Sequence, residues 1–108
     1  MSNQSTLTAI FLEAQSEIEK KHDQVIGLGR PPSAPAELAT YMLSVGDMKN
    51  HNNPRIIATL DDSKNEYHIN WGTPSKNKFE DKSYRVNKAE LTTGWLVEFV
   101  ESNLLSIE

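Results

Sequence analysis

Cysteine is absent from this chain, which removes disulfides, thiolate metal sites, iron–sulfur clusters and cysteine nucleophiles together. Long apolar runs are absent as well. No stretch approaches the roughly 20 residues of a membrane-spanning helix, and Met1-Ser2-Asn3-Gln4-Ser5-Thr6 has neither the basic start nor the apolar run of a secretory signal. The expected compartment is therefore the cytoplasm, where the sequon Asn3-Gln4-Ser5 is a chance match. Positive charge is in short supply: 11 Lys and Arg stand against 15 Asp and Glu, a net charge of −4, which argues against general affinity for nucleic acid. The chain also lacks a G-x-S-x-G elbow, a P-loop and a dinucleotide fingerprint, so no motif points to catalysis and no cofactor is expected.

The residues present suit one folded unit. A chain of 108 residues accommodates a single domain, 1–108, and an apolar fraction of 37% implies a modest core. Trp71, Trp95, Phe11, Phe79, Phe99 and three tyrosines supply bulk that disordered chains do not carry.

Hydrophobic periodicity divides the chain. Leu7, Ile10, Phe11, Ala14, Ile18 and Val25 recur at three- and four-residue steps opposite Glu13, Glu17, Lys20 and Lys21, predicting an amphipathic helix from Thr6 to about Ile26. Gly27, Gly29, Pro31 and Pro32 are read as its stop. A second helix is predicted from a cap at Ser33, with Pro35 in its first turn and a stripe of Leu38, Tyr41, Met42 and Val45 that Gly46 ends. After a polar loop the rhythm changes to two: Tyr67, Ile69 and Trp71 alternate with Glu66, His68 and Asn70. With the Ile- and Thr-rich run from Arg55 to Leu60 and the turn residues between them, this predicts a β-hairpin over 55–71. A third strand is read over 83–86.

The strongest local signal is Val86-Asn87-Lys88-Ala89-Glu90-Leu91. Asn87 can cap a helix, Glu90 can reach back to it, and Val86 and Leu91 stand where a hydrophobic staple needs them. A closing helix is predicted over 88–105, with Gly94 inside it marking close approach of another element. The expected fold is α+β: two N-terminal helices, a small antiparallel sheet and a C-terminal helix.

Several constellations carry side chains capable of chemistry. His22, His51 and His68 are far apart in sequence, and a zinc site would need His51, His68 and a carboxylate such as Asp61 brought together by folding; no metal site is expected. Asp61-Asp62-Ser63-Lys64-Asn65-Glu66 has oxygen side chains like a calcium loop, but Glu66 stands where that loop needs glycine. Gly27-Leu28-Gly29-Arg30 follows a helix rather than a strand, which is wrong for a phosphate loop, and Arg30 is misplaced for a P-x-x-P ligand. His68 with Glu66 and Asn70 could serve an enzyme, but the plainer reading is a solvated sheet face. The basic stretch Lys76, Lys78, Lys82, Arg85 and Lys88, interleaved with Phe79 and Tyr84, is the best nucleic-acid feature. A winged helix-turn-helix lacks a recognition helix between Gly46 and Arg55.

These readings favour a small acidic protein-interaction module that binds one protein partner stoichiometrically, in the manner of an inhibitor, immunity protein, antitoxin or adaptor. The expected contact residues are Asp61 and Asp62 at the hairpin tip and Glu98 and Glu101 on the last helix, facing a partner with a basic surface. Nucleic-acid binding through the stretch 76–88 is the alternative, an enzyme at His68 the next. Self-association is compatible with the exposed edges of a small sheet.

Overall fold

Four apolar side chains at spacings of four, three and four, Leu7, Phe11, Ala14 and Ile18, are completely buried along one stripe of the first helix, α1 (Asn3–His22). The computed structural model describes residues 3–31, 34–35, 37–73 and 83–105. The helix stops four residues earlier than the glycines imply. Asp23 adopts a positive φ of 51° and its amide donates to the Glu19 carbonyl, which closes the helix before Gly27 is reached.

Five antiparallel strands follow among the described residues: β1 (Ile26–Gly29), β2 (Thr40–Val45), β3 (Arg55–Asp61), β4 (Glu66–Gly72) and β5 (Ser83–Asn87). Their spatial order is their sequence order, an up-and-down meander. The hairpin is β3 with β4, running from Arg55 opposite Gly72 to Asp61 opposite Glu66, and β5 is the third strand read from the sequence. The fold is thus α+β, with one N-terminal helix and five strands rather than two helices and three strands.

The predicted second helix is β2. Tyr41, Leu43 and Val45 face the helices, while Thr40, Met42 and Ser44 are also buried on the opposite side. A strand buried on both sides loses its alternation, so its apolar residues can be fitted to a helical period as readily. The Ser33 cap lies outside the described residues. β1 was missed because it is four residues long and half glycine. A Cβ on Gly27 would lie 2.7 Å from the Ser44 hydroxyl and 3.2 Å from the Gly46 carbonyl, so the residue allows loop 46–54 to fold back over the sheet.

Helix side chains tie down the β1 edge. Gln15 Nε2 donates to the Ile26 carbonyl and Glu19 Oε2 accepts from the Ile26 amide, at 2.7 and 3.0 Å. Gln4 binds both backbone groups of Thr40 at 3.1 Å, fastening the start of α1 to β2. Backbone groups at an edge that would otherwise invite another strand are thereby engaged.

The closing helix also differs from expectation. Asn87 is the last residue of β5, and its Oδ1 accepts from the Ala89 amide in a turn rather than a helix cap. The real cap is Thr92, whose hydroxyl accepts from the Trp95 amide at 3.2 Å and starts α2 (Thr93–Val100), followed by a π-helical segment, Glu101–Leu105. An Asx turn and an N-cap share the same first hydrogen bond, so the local sequence did not separate them. Gly94 has no atom within 4 Å of where its Cβ would stand, so no close approach explains it. The core lies between the sheet and the two helices, with Tyr67, Ile56, Ile69, Leu96 and Val100 fully enclosed.

Candidate functional site

The four acidic positions expected to meet a partner prove unequal. Asp61 ends β3 and already has company: its Oδ1 takes the Ser63 hydroxyl at 2.7 Å and its Oδ2 lies 3.5 Å from Arg85 Nη1. The Ser63 hydroxyl, helped by the Ser63 amide, Lys64 and Arg85, holds this carboxyl below the usual aspartate range. Asp62 is exposed in the turn beyond it. Glu101 is more deeply committed, because its Oε2 sits 2.7 Å from His22 Nε2 and 2.9 Å from Lys21 Nζ, joining the end of α1 to the end of the chain. Glu98 is exposed and makes no ion pair among the described residues.

The Glu101 contacts have a pH consequence. The hydrogen bond from His22, then that from Lys21, pull the Glu101 carboxyl below the ordinary glutamate range. A depressed carboxyl stabilises the fold above its unfolded value, and that contribution is lost as pH falls through the lower, folded value. Glu101→Gln should therefore be less stable than the wild type at neutral pH. The two proteins should converge on acidification below the carboxylate range, measured as denaturation midpoints across pH.

Beside Glu98 lies a feature that single residues did not announce. Tyr84 on β5 and Trp95 on α2 stack with centroids 6.5 Å apart, Trp95 stacks on Phe99 at 5.0 Å, and Phe99 meets the edge of Trp71 at 4.9 Å. Four rings from β4, β5 and α2 form one continuous ladder. Residues 95 and 99 are one helical turn apart, and Trp71 and Tyr84 project from the helix side of adjacent strands, so α2 threads its rings between theirs. The ladder is not sealed: Tyr84 is 53% exposed, and Trp95, Phe99 and Trp71 are half-buried. Trp95, Glu98, Phe99, Ser102 and Asn103 line a shallow groove of about 220 Å³ along it. Trp95 and Phe99 were legible only as the apolar face of a helix, and Tyr84 only as a strand residue.

Comparison with known proteins adds no relative: no protein-family model, no curated protein and no solved structure matches the chain.

The other candidates fall in separate places. Of the basic stretch, Lys76, Lys78 and Lys82 lie outside the described residues, as does Phe79. Arg85 lies 3.5 Å from Asp61 and 3.7 Å from Glu66, on the face of β5 opposite Tyr84, and Lys88 Nζ donates to Asn3 Oδ1 at 2.9 Å. His68 sits half-buried on that same far face, between Thr59 and Arg85 in the register. Asp61–Glu66 forms a hairpin turn, with Lys64 and Asn65 amides donating to the Asp61 and Asp62 carbonyls. Among the described residues no three His, Asp or Glu side chains are grouped to hold a metal ion, and no helix is long and apolar enough to cross a membrane.

Proposed function

We propose that the protein is a stoichiometric binding module that docks one protein partner, of basic surface, on the ladder Tyr84–Trp95–Phe99 beside Glu98. The observation that carries this reading is the half-exposed Tyr84 stacked on Trp95 at the β5 edge of the sheet. The β1 edge is occupied by Gln15 and Glu19, whereas β5 has no strand beyond it among the described residues. Rigid aromatic side chains supply large contact area at little entropy cost, and Tyr and Trp are the residues most often found where binding energy concentrates. The unpaired Glu98 and the overall charge of −4 select for a cationic partner and speed its approach. An inhibitor, an immunity protein or an antitoxin that blocks a nucleic-acid-handling protein would meet such a surface.

The acidic contact set narrows accordingly. Asp61 and Glu101 are spent on internal partners, and Asp62 lines a different depression with Asn3, Gln4 and Glu37, so Glu98 is the charge to test at the ladder. Glu98→Lys should slow association and leave the fold intact, whereas Glu101→Lys would also break the link to Lys21 and His22. The decisive experiment compares capture from the source cell by the tagged wild type and by a Tyr84→Ala, Glu98→Lys double variant of unchanged circular dichroism. One companion held in a one-to-one complex by the wild type and lost by the variant supports the reading. Equal capture by both, or a companion that is nucleic acid, overturns it.

A further inference from the structure

The far face of the sheet carries a second site, independent of the aromatic ladder. Loop 46–54 folds back over β1 and β2, and is held there by its own hydrogen bonds. The Asn53 side chain donates to the Asp47 carbonyl at 3.0 Å, the Asp47 carboxylate accepts from the Lys49 amide at 2.9 Å, and the Val45 amide donates to the Pro54 carbonyl at 2.9 Å. Between this loop and the sheet lies a cavity of about 450 Å³, lined by Arg30, Met42, Asp47, Met48, Lys49, His51 and Arg55.

Two guanidinium groups in its wall are incompletely satisfied. Arg55 is only 5% exposed, and its Nη2 donates to the Asn50 carbonyl at 2.9 Å, yet its Nε is buried without a partner. Arg30 Nη2 donates to the carbonyls of Pro35 and Leu38 at 2.7 and 2.8 Å, and its Nε is likewise buried without a partner. Neither arginine forms an ion pair among the described residues. Burial pulls the Arg55 pKa down, the mark of a cation short of both solvent and counter-charge. A buried, unpaired cation destabilises a fold, and a structure that keeps one commonly does so for what the cation binds.

We infer that this cavity binds the phosphate group of a small molecule, with Arg30 and Arg55 as its donors. Guanidinium forks match phosphate oxygens in two-point geometry, Lys49 at the exposed rim adds point charge, and the His51 ring beside it offers a further hydrogen-bonding group. Asp47 opposes the anion from the same rim, leaving three permanent cations against one carboxylate. Met42 and Met48 form an apolar wall beside the cations, which favours a phosphate ester carrying an apolar group over the inorganic ion.

The test is calorimetric titration of the whole chain with inorganic phosphate and, separately, with phenyl phosphate, at constant ionic strength in chloride. Both should bind saturably at one competing site, phenyl phosphate more tightly. Arg30→Gln and Arg55→Met should each weaken binding by about tenfold or more. Asp47→Asn should tighten it, and Tyr84→Ala should leave it unchanged. Should Arg55→Met fail to fold, Arg30→Gln and Asp47→Asn still decide, because their side chains are less enclosed. Absence of saturable binding, or affinity indifferent to Arg30 and Asp47, would overturn the assignment. Tighter binding of the inorganic ion than of phenyl phosphate would overturn the role of the methionines.

Discussion

Phe11→Ala is expected to lower the unfolding free energy by about 3–5 kcal/mol, the usual cost of emptying a buried aromatic position. Phe11 is completely enclosed and meets Tyr41 edge-on at 5.4 Å, so its ring couples the middle of α1 to the second strand. The substitution removes the transfer energy of the ring and leaves a space the neighbours cannot fill, because Leu7 and Ile18 are fixed along the same stripe and Leu43 lies in the sheet beneath. A domain of this size has about 5–15 kcal/mol in total, so the variant should unfold at a much lower urea concentration with a similar slope. Leu12, the next residue, is 50% exposed, and Leu12→Ala should shift the midpoint little. A comparable loss at both positions would mean that α1 does not pack on the sheet through this stripe.

Gly46→Ala should cost about 1–3 kcal/mol, the range for a side chain forced into a left-handed backbone, with a steric clash added. Gly46 has φ of +104°, and a Cβ there would stand 2.5 Å from the Asn53 side-chain nitrogen. Asn53 is the residue that holds the loop to Asp47, so relief of the clash must come from the loop itself. The loss should appear as a lower melting temperature and as faster amide exchange across residues 47–53, while the core amides of β3 and β4, which exchange through global unfolding, speed up only by the factor that the lost global stability implies. Unchanged melting and exchange would show that the turn at Gly46 is not constrained as described.

The parts of the fold that could be read from sequence are those in which one face differs from the other. α1 was readable because Leu7, Phe11, Ala14 and Ile18 lie inside while Glu13 and Lys20 lie outside, and the β3–β4 hairpin because Tyr67 and Ile69 alternate with His68 and Asn70. β2 was not, since Thr40, Met42 and Ser44 are enclosed by tertiary contacts, Thr59 and the returning loop 46–54 among them, and the contrast between its faces vanishes. β1 carries glycines on its far face because the returning loop lies there, and a glycine leaves no hydropathy signal. At Asn87 the correct local bond was read in the wrong structure: strand pairing with Glu66 had already set the backbone before any helix could begin.

The site follows the same division. Glu98 was identifiable as an exposed acid on a helix, but the engagement of Glu101 depends on Lys21 and His22, at the other end of the chain. The aromatic ladder requires the register that sets Tyr84 beside Ile69 and the helix that lays Trp95 across it. Neither is encoded by spacing within one segment. The orphaned nitrogens of Arg30 and Arg55 are a fact of enclosure alone.

Because each strand of the meander pairs with its nearest neighbours in the chain, the sheet can assemble by successive short-range zippering from the β3–β4 hairpin outward. The long-range closure is left to the helices, where His22 meets Glu101 and the Thr93 hydroxyl reaches Glu13 across a separation of 80 residues. Folding speed should thus depend on turn formation at 61–66, while the lifetime of the native state should depend on the clasp that brings the two ends of the polypeptide together.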